Sequence, residues 1–353
     1  MNISIDISPL KTGNFLSHRV RGTGQYLNSL ISSLEKYFPE NKYTYFIRGE
    51  KVPSGADIVH YPYFEPFFLT LPFGINKKSI VTVHDLTPMV FPSNFPTGIK
   101  GYVRWKIQKF NLKRAGLIIT DSISSKKDIV RFAGIDENKI EVIYLAANEE
   151  FKVVDNKNKL EEVRKRYNLP DKFALYVGDL TWNKNLPRVI EAVGKANIPL
   201  VLVGKAISET NFDSSNPWNQ DRLKVREALS SNNNIQALGF ISSEELIAIY
   251  NLATVFIMPS LYEGFGLPIL EAMACGCPVI TSKNGSIPEI AGNAAFYVDA
   301  LSVESIKEGI WELLKDKNLQ NKLSIEGLRQ VKKFTWKKTA CETVKAYELV
   351  CNL

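Results

Sequence analysis

The chain has 353 residues, 45% of them apolar, and carries a net charge of +7 at pH 7. That length exceeds one ordinary core and suits two α/β domains of about 100 to 200 residues each. The apolar content and the lack of low-complexity tracts exclude a disordered chain.

The amino terminus, Met1-Asn2-Ile3-Ser4-Ile5-Asp6-Ile7, alternates like a strand and lacks the basic and apolar regions of a signal peptide. No run of about 18 apolar residues is present to span a membrane. The four cysteines, Cys275, Cys277, Cys341 and Cys351, form no disulfide framework, so a reducing cytoplasm is expected. With three histidines in the chain and no second Cys pair at ligand spacing, Cys275-Gly276-Cys277 reads as small buried residues, and neither metal nor cofactor is expected. The positive charge favours an anionic partner. No interleaved aromatic and basic strand motif or zinc spacing supports nucleic acid.

Short β-branched runs alternate with helical patterns, which predicts parallel sheets covered by helices. In chain order, residues 3–7, 43–48, 58–61, 79–83, 117–120 and 140–143 read as strands of a first sheet. Between them, 24–37 places Tyr26, Leu27, Leu30, Ile31 and Leu34 on one helical stripe, and Ser122 suits the N-cap of a helix over 122–132. Polar, aperiodic residues 149–159 are read as the interdomain linker. A second series follows, with strands at 173–177, 200–203, 235–237, 255–258, 279–281 and 295–298, then amphipathic segments from Val303, Leu319 and Thr335. The domains expected are 1–153, 154–334 and a helix, 335–353, packing back toward the first. Two such doubly wound domains facing each other leave a cleft, the usual place for a ligand.

The most informative segment is 258–280. A buried strand ends at Pro259, and Gly264 and Gly266 let backbone approach a ligand without Cβ interference. Pro268 fits the first turn of a helix, whose amides and dipole suit a phosphate. Glu263 precedes the loop, Glu271 falls in the first turn, and both carboxylates are expected to be free for sugar hydroxyls. Gly276 ends the helix. On residue chemistry alone, a strand, loop and helix with Glu271 complementing the dipole is an equal alternative.

Glu263 and Glu271, with Gly264-Phe265-Gly266-Leu267-Pro268 between them, resemble the E-x7-E motif of glycosyltransferase family 4. The resemblance extends to Gly178-Asp179-Leu180 through Lys184-Asn185, to Leu238-Gly239-Phe240, to Ser286-Ile287-Pro288-Glu289 and to Val83-His84-Asp85, in the family's order and over essentially the whole chain. It implies an α/β GT-B fold of two facing Rossmann-like, doubly wound parallel-sheet domains: an acceptor-binding first domain, a nucleotide-sugar-binding second domain, and a retaining, metal-independent transfer. It further implies that Glu271 holds the donor ribose, Leu267 lies against the nucleoside, and Glu263 faces the transferred sugar. By the same resemblance, the amides of Gly264, Phe265 and Gly266 meet sugar or phosphate, and Lys184 offsets charge on the leaving diphosphate. Gly178 and the Gly22–Gly24 pair, similar to the family's first glycine loop, complete the donor set, and His84 positions sugar or acceptor.

The chain departs from the family where relatives carry a second cation near the lysine: those positions are Asp179 and Asn183, which leaves Lys205 or Arg21 as substitutes. Lys100, Arg104, Lys106, Lys109, Lys113 and Arg114 crowd one predicted helix, with Ile99, Val103, Ile107 and Phe110 as its apolar stripe and Tyr102 and Trp105 as interfacial aromatics. The stripe is expected to pack into the first domain; the competing reading is peripheral contact with anionic lipid at the inner face of a membrane. The function expected is a hexosyltransferase of cell-surface glycan synthesis, with GDP-mannose as first donor and a UDP-hexose next. The acceptor, a saccharide or lipid-linked saccharide, is expected at loops 61–72 and 91–98. A non-catalytic sugar-nucleotide binder or regulatory partner of an active transferase is the alternative, and a sugar-nucleotide epimerase of the same fold is a further, weaker reading.

Overall fold

The computed structural model describes residues 1–11, 20–209, 211–232 and 234–352, apart from the side chains of 20, 21 and 231. The chain divides into two units: Met1–Ser93, Thr97–Ala146 and Phe334–Leu353 form one, and Asn94–Pro96 with Ala147–Lys333 the other.

In the first unit β1 (Asn2–Asp6), β2 (Lys42–Phe46), β3 (Ile58–Tyr61), β4 (Ser79–Thr82), β5 (Leu117–Thr120) and β6 (Ile140–Val142) make a parallel sheet ordered β2-β1-β3-β4-β5-β6. The central strands β4 and β5 are buried throughout, which is why they read as continuous apolar runs rather than alternating ones. The helix Val20–Tyr37 buries Tyr26, Leu27, Leu30 and Leu34. It starts four residues earlier than the pattern predicts. Gly22 and Gly24 therefore lie in its first two turns and not in a loop, and neither takes a positive φ. The helix Trp336–Cys351 lies along this one and against β3, β4 and β5, burying Trp336, Ala340, Val344, Tyr347 and Val350 at helical spacing. Thr339 Oγ1 donates to the Tyr144 carbonyl at 2.7 Å, and Tyr347 Oη lies 2.9 Å from His60 Nδ1.

The basic helix, Gly98–Arg114, overturns the packing expected of it. Its buried residues are Gly101, Trp105, Gln108, Asn111 and Leu112. Ile99, Val103 and Phe110 are 85%, 50% and 61% exposed, and Tyr102 is 55% exposed. Gln108 explains the inversion: its Nε2 donates to Thr70 Oγ1 at 2.6 Å and its Oε1 accepts from the Leu71 amide at 3.3 Å. A glutamine satisfying a loop takes the inward place that hydropathy gives to the apolar stripe.

In the second unit β7 (Ala174–Val177), β8 (Leu200–Val203), β9 (Ile235–Gly239), β10 (Val255–Met258), β11 (Val279–Thr281) and β12 (Phe296–Tyr297) make a parallel sheet ordered β12-β11-β10-β7-β8-β9. Cores cover both of its faces. The predicted linker ends in structure: Asn156 Oδ1 accepts from the Lys159 amide at 3.2 Å and caps the helix Lys157–Arg166.

Candidate active site

In the second unit, two loops at the carboxyl ends of β7 and β10 are joined. After β7 the chain runs through Gly178 and Asp179 to a 3-10 turn, Trp182–Lys184, and Asn185 then takes a left-handed φ of 61°. Asn tolerates that conformation, and here its buried side chain also donates to the carbonyls of Pro259 at 3.0 Å and Ala300 at 2.7 Å. The Leu261 amide donates to the Asn183 carbonyl at 2.7 Å, and Asn183 Nδ2 to the Tyr262 carbonyl at 3.0 Å. Asn183 thus fastens the two loops together.

Between these loops Lys184 Nζ donates to both carboxylate oxygens of Glu263, at 2.8 and 2.7 Å. Glu263 is buried and Lys184 half-buried, so the lysine compensates a carboxylate that is largely withdrawn from water. Glu263 is not free, contrary to expectation. Its backbone is pinned by Ser286, whose amide and Oγ lie 3.2 and 3.0 Å from the Glu263 carbonyl; Oγ is also 2.8 Å from the Phe265 carbonyl. Gly285 permits this closeness, since a Cβ on it would stand 2.6 Å from the Glu263 carbonyl oxygen.

Gly266, at φ 103°, turns the buried Gly264–Phe265 loop into the helix Leu267–Ala274, where Pro268 stands in the first turn and no side chain caps the amino end. Leu267 is half-buried. Glu271 falls one residue past the first turn, buried, accepting from Tyr250 Oη at 3.1 Å. Burial pushes its carboxyl up to about 7, with the Tyr250 hydrogen bond pulling weakly the other way. Tyr250 lies on the helix Ser243–Leu252; its only sequence signal is a polar tip within the apolar stretch Leu246–Leu252 of that helix, which Asn251 also interrupts. Gly276, at φ 70°, ends the Leu267–Ala274 helix in a Schellman motif, with the Cys277 amide donating to the Ala272 carbonyl and the Gly276 amide to that of Met273. Cys275 and Cys277 are buried, and burial pushes the Cys275 thiol up to about 12.

Of the substitute cations, Lys205 is exposed, with Glu209 3.7 Å away, and the Arg21 side chain lies outside the described residues. Sequence reasoning missed Arg188, whose Nη1 donates to Asn185 Oδ1 at 2.8 Å, one turn beyond Lys184.

In the first unit His84 follows β4 and Asp121 follows β5. His84 Nδ1 lies 2.7 Å from Asp121 Oδ2. Burial opposes the charged imidazolium, but Asp121, by charge and hydrogen bond, and Asp85 outweigh it and hold His84 above its ordinary value. Tyr26 meets the imidazole edge to face, 4.7 Å between ring centroids.

The second unit thus carries, on a doubly wound sheet, a helix start suited to a phosphate, a lysine and two buried glutamates. The family model for glycosyl transferases group 1 matches residues 159–330, and that for glycosyltransferase family 4 matches 18–151. The O-antigen chain mannosyltransferase B of Escherichia coli is 30% identical over 83% of this chain and 76% of its own length. The serotype-specific mannosyltransferase WbdA of Escherichia coli is 28% identical over 76% of this chain, which spans 33% of that larger protein. Sucrose-phosphate synthase from Thermosynechococcus elongatus superposes with a TM-score of 0.76 at 21% identity, covering 98% of each chain, which establishes the GT-B fold. The chain belongs to the group 1 glycosyltransferases, family 4.

Proposed function

We propose that the chain is a retaining hexosyltransferase that moves mannose from GDP-mannose, or failing that a hexose from a UDP-sugar, to a hydroxyl of a saccharide or lipid-linked saccharide of a cell-surface glycan. The observation that carries it is the Lys184–Glu263 pair, 2.7 Å apart at the uncapped start of the Leu267–Ala274 helix. Bound there, the donor diphosphate takes the Lys184 ammonium, which releases Glu263 toward the sugar. Glu271 holds the ribose and Leu267 the nucleoside face. The amides of Gly264, Phe265 and Gly266 meet sugar and phosphate, and Gly178, Gly22 and Gly24 belong to the same donor set. His84 positions the sugar or acceptor. The bond from anomeric carbon to phosphate oxygen breaks, the acceptor oxygen bonds the same carbon on the same face, and the leaving phosphate takes the acceptor proton. No step calls for a metal. The mannose assignment is supported by the names of the two Escherichia coli relatives.

Calorimetry with GDP, UDP, GDP-mannose and UDP-glucose, without added metal and with donor consumption followed in the same samples, tests the reading. Preferential binding and consumption of GDP-mannose is expected. Binding without turnover in the presence of acceptors would favour the regulatory alternative, and no binding at all would undo the site.

The helix Gly98–Arg114 is proposed to rest on anionic lipid at the cytoplasmic face of a membrane. Its exposed Ile99, Tyr102, Val103 and Phe110 support this, with Lys106 Nζ 4.9 Å from the Tyr102 ring centroid and the Arg114 guanidinium 5.7 Å from that of Phe110. Among the described residues no helix is long and apolar enough to cross a membrane.

A further inference from the structure

We propose that Asp121 is a positioning residue for His84: its carboxylate accepts a hydrogen bond from Nδ1–H of the imidazole and directs Nε2 to an oxygen of the sugar, an inference that rests on the proposed role of His84. The sheet builds the pair. β4 and β5 run parallel with Thr82 beside Ile119, and the Val83 amide donates to the Ile119 carbonyl at 2.8 Å. Two residues further along each strand, the same register sets His84 beside Asp121. The backbone there is held on both sides: Thr120 Oγ1 donates to the Val83 carbonyl at 2.7 Å and Ser125 Oγ to the His84 carbonyl at 2.9 Å.

What the pair leaves over is the second observation. Among the described residues His84 Nε2 and Asp121 Oδ1 are buried without a hydrogen-bond partner. A buried polar atom is costly unless something bonds to it, and an imidazole anchored through Nδ1 has Nε2 as its remaining valence.

The groups facing the ring fix its charge. The Pro62 carbonyl favours the protonated ring without closing a hydrogen bond to Nε2. Tyr26 presents its ring edge, and burial holds its hydroxyl protonated, 3.3 Å from Thr82 Oγ1. His60, whose Nε2 lies 2.8 Å from the same Thr82 Oγ1, is pushed by burial to about 3 and stays neutral. Among the described residues the charges that act on His84 are therefore the carboxylates of Asp121 and Asp85. Burial lifts the Asp121 carboxyl above its ordinary value, and His84 opposes that rise, as expected of partners sharing one proton. With Asp121 present, Nε2–H is a charged donor, and such bonds are roughly twice as strong as neutral ones.

The test compares wild type, Asp121→Asn and His84→Ala in the full-length protein. Imidazole nitrogen shifts are followed by NMR from pH 5 to 9, with the His84→Ala variant assigning the signal, and GDP release from GDP-mannose is measured over the same range. Wild type is expected to show His84 protonated at Nδ1. In Asp121→Asn the titration should fall by about one to three units, because burial is then opposed only by the weaker effects of Asp85 and the Pro62 carbonyl. Turnover should drop at least tenfold with GDP affinity unchanged, and GDP affinity also reports that the variant is folded. A titration in Asp121→Asn that overlays wild type overturns the proposal whatever the donor. So does unchanged turnover in Asp121→Asn alongside an inactive His84→Ala. Full activity of His84→Ala would instead overturn the assignment of His84, and this proposal with it.

Discussion

At Glu271 a carboxyl sits buried beside the Tyr250 hydroxyl, and burial raises its affinity for a proton to about 7. The folded form thus holds the proton more tightly than the unfolded chain, so this group's contribution to stability is full below about 4.5 and is lost as pH rises through about 7. Glu271→Gln removes the penalty of the buried charge. Its gain over wild type should be near zero at pH 4.5 and grow to at most about 3 kcal/mol at pH 8, read from urea unfolding at the two pH values. Glu271→Ala should weaken donor affinity with the fold intact; unchanged calorimetric affinity would remove the residue from the ribose. Glu263 behaves differently because Lys184 compensates it. Glu263→Gln should lower kcat by roughly 100-fold while donor Kd moves far less, as expected when an interaction matters in the transition state. Equal losses in both would make it a binding residue only. Both glutamates and Lys184 were singled out in sequence, whereas the pairing of Lys184 with Glu263 and the partner of Glu271, Tyr250, were not. Lys184 lies 79 residues from Glu263, and Tyr250 lies 21 from Glu271 on a helix whose pattern says only that it is half apolar.

Among the elements, two glycine-dependent joints of the second unit hold different things: Gly285 the loop at Glu263, and Gly276 the end of the Leu267–Ala274 helix. A Cβ at Gly285, which is also at positive φ, collides with the Glu263 backbone. Gly285→Ala should therefore cost about 2 kcal/mol or more in stability and lower turnover with it. Gly276→Ala strains only the helix end, should cost about 1 to 2 kcal/mol, and should leave kcat unchanged. Thermal unfolding and steady-state rates on the pair separate the two effects. The helix Gly98–Arg114 shows why periodicity can mislead. Its apolar residues and its buried residues occupy different faces, because a glutamine bonded to a loop can be buried at less cost than an unpaired polar group. The exposed stripe should bind vesicles containing phosphatidylserine, and binding should weaken with salt, each cation near the surface contributing about 1 kcal/mol. Ile99→Ser with Phe110→Ser should abolish sedimentation with such vesicles, and unaltered sedimentation would exclude this face.

For the whole molecule, each unit is built around a six-stranded parallel sheet, and the first is completed by residues from the far end of the chain. Removing 334–353 uncovers Tyr26, Leu27 and the strands beneath the last helix, so the shortened chain should lose the cooperative unfolding of that unit. Tyr347→Phe is the gentler probe. It strands the buried His60 Nδ1 and should cost about 1 to 3 kcal/mol, readable in denaturant. The twelve strands were visible in sequence from local signals: β4, β5, β7, β8 and β10, buried throughout, as continuous apolar runs, and partly exposed strands such as β2 as short β-branched or aromatic runs bounded by turns. The start of the first helix was not, since glycines at 22 and 24 fit a loop or a helix equally well until packing decides.

By itself the sequence determined the alternation of strands and helices, the phosphate-suited helix start at Leu267 and the family those residues mark. Tertiary structure alone decided which charges meet: Lys184 with Glu263, Asp121 with His84, and an exposed rather than buried apolar face on the basic helix. The reason is range. Backbone preference and apolar periodicity act over a few residues, while a buried charge or amide is settled by whichever partner the register of distant strands brings within 3 Å.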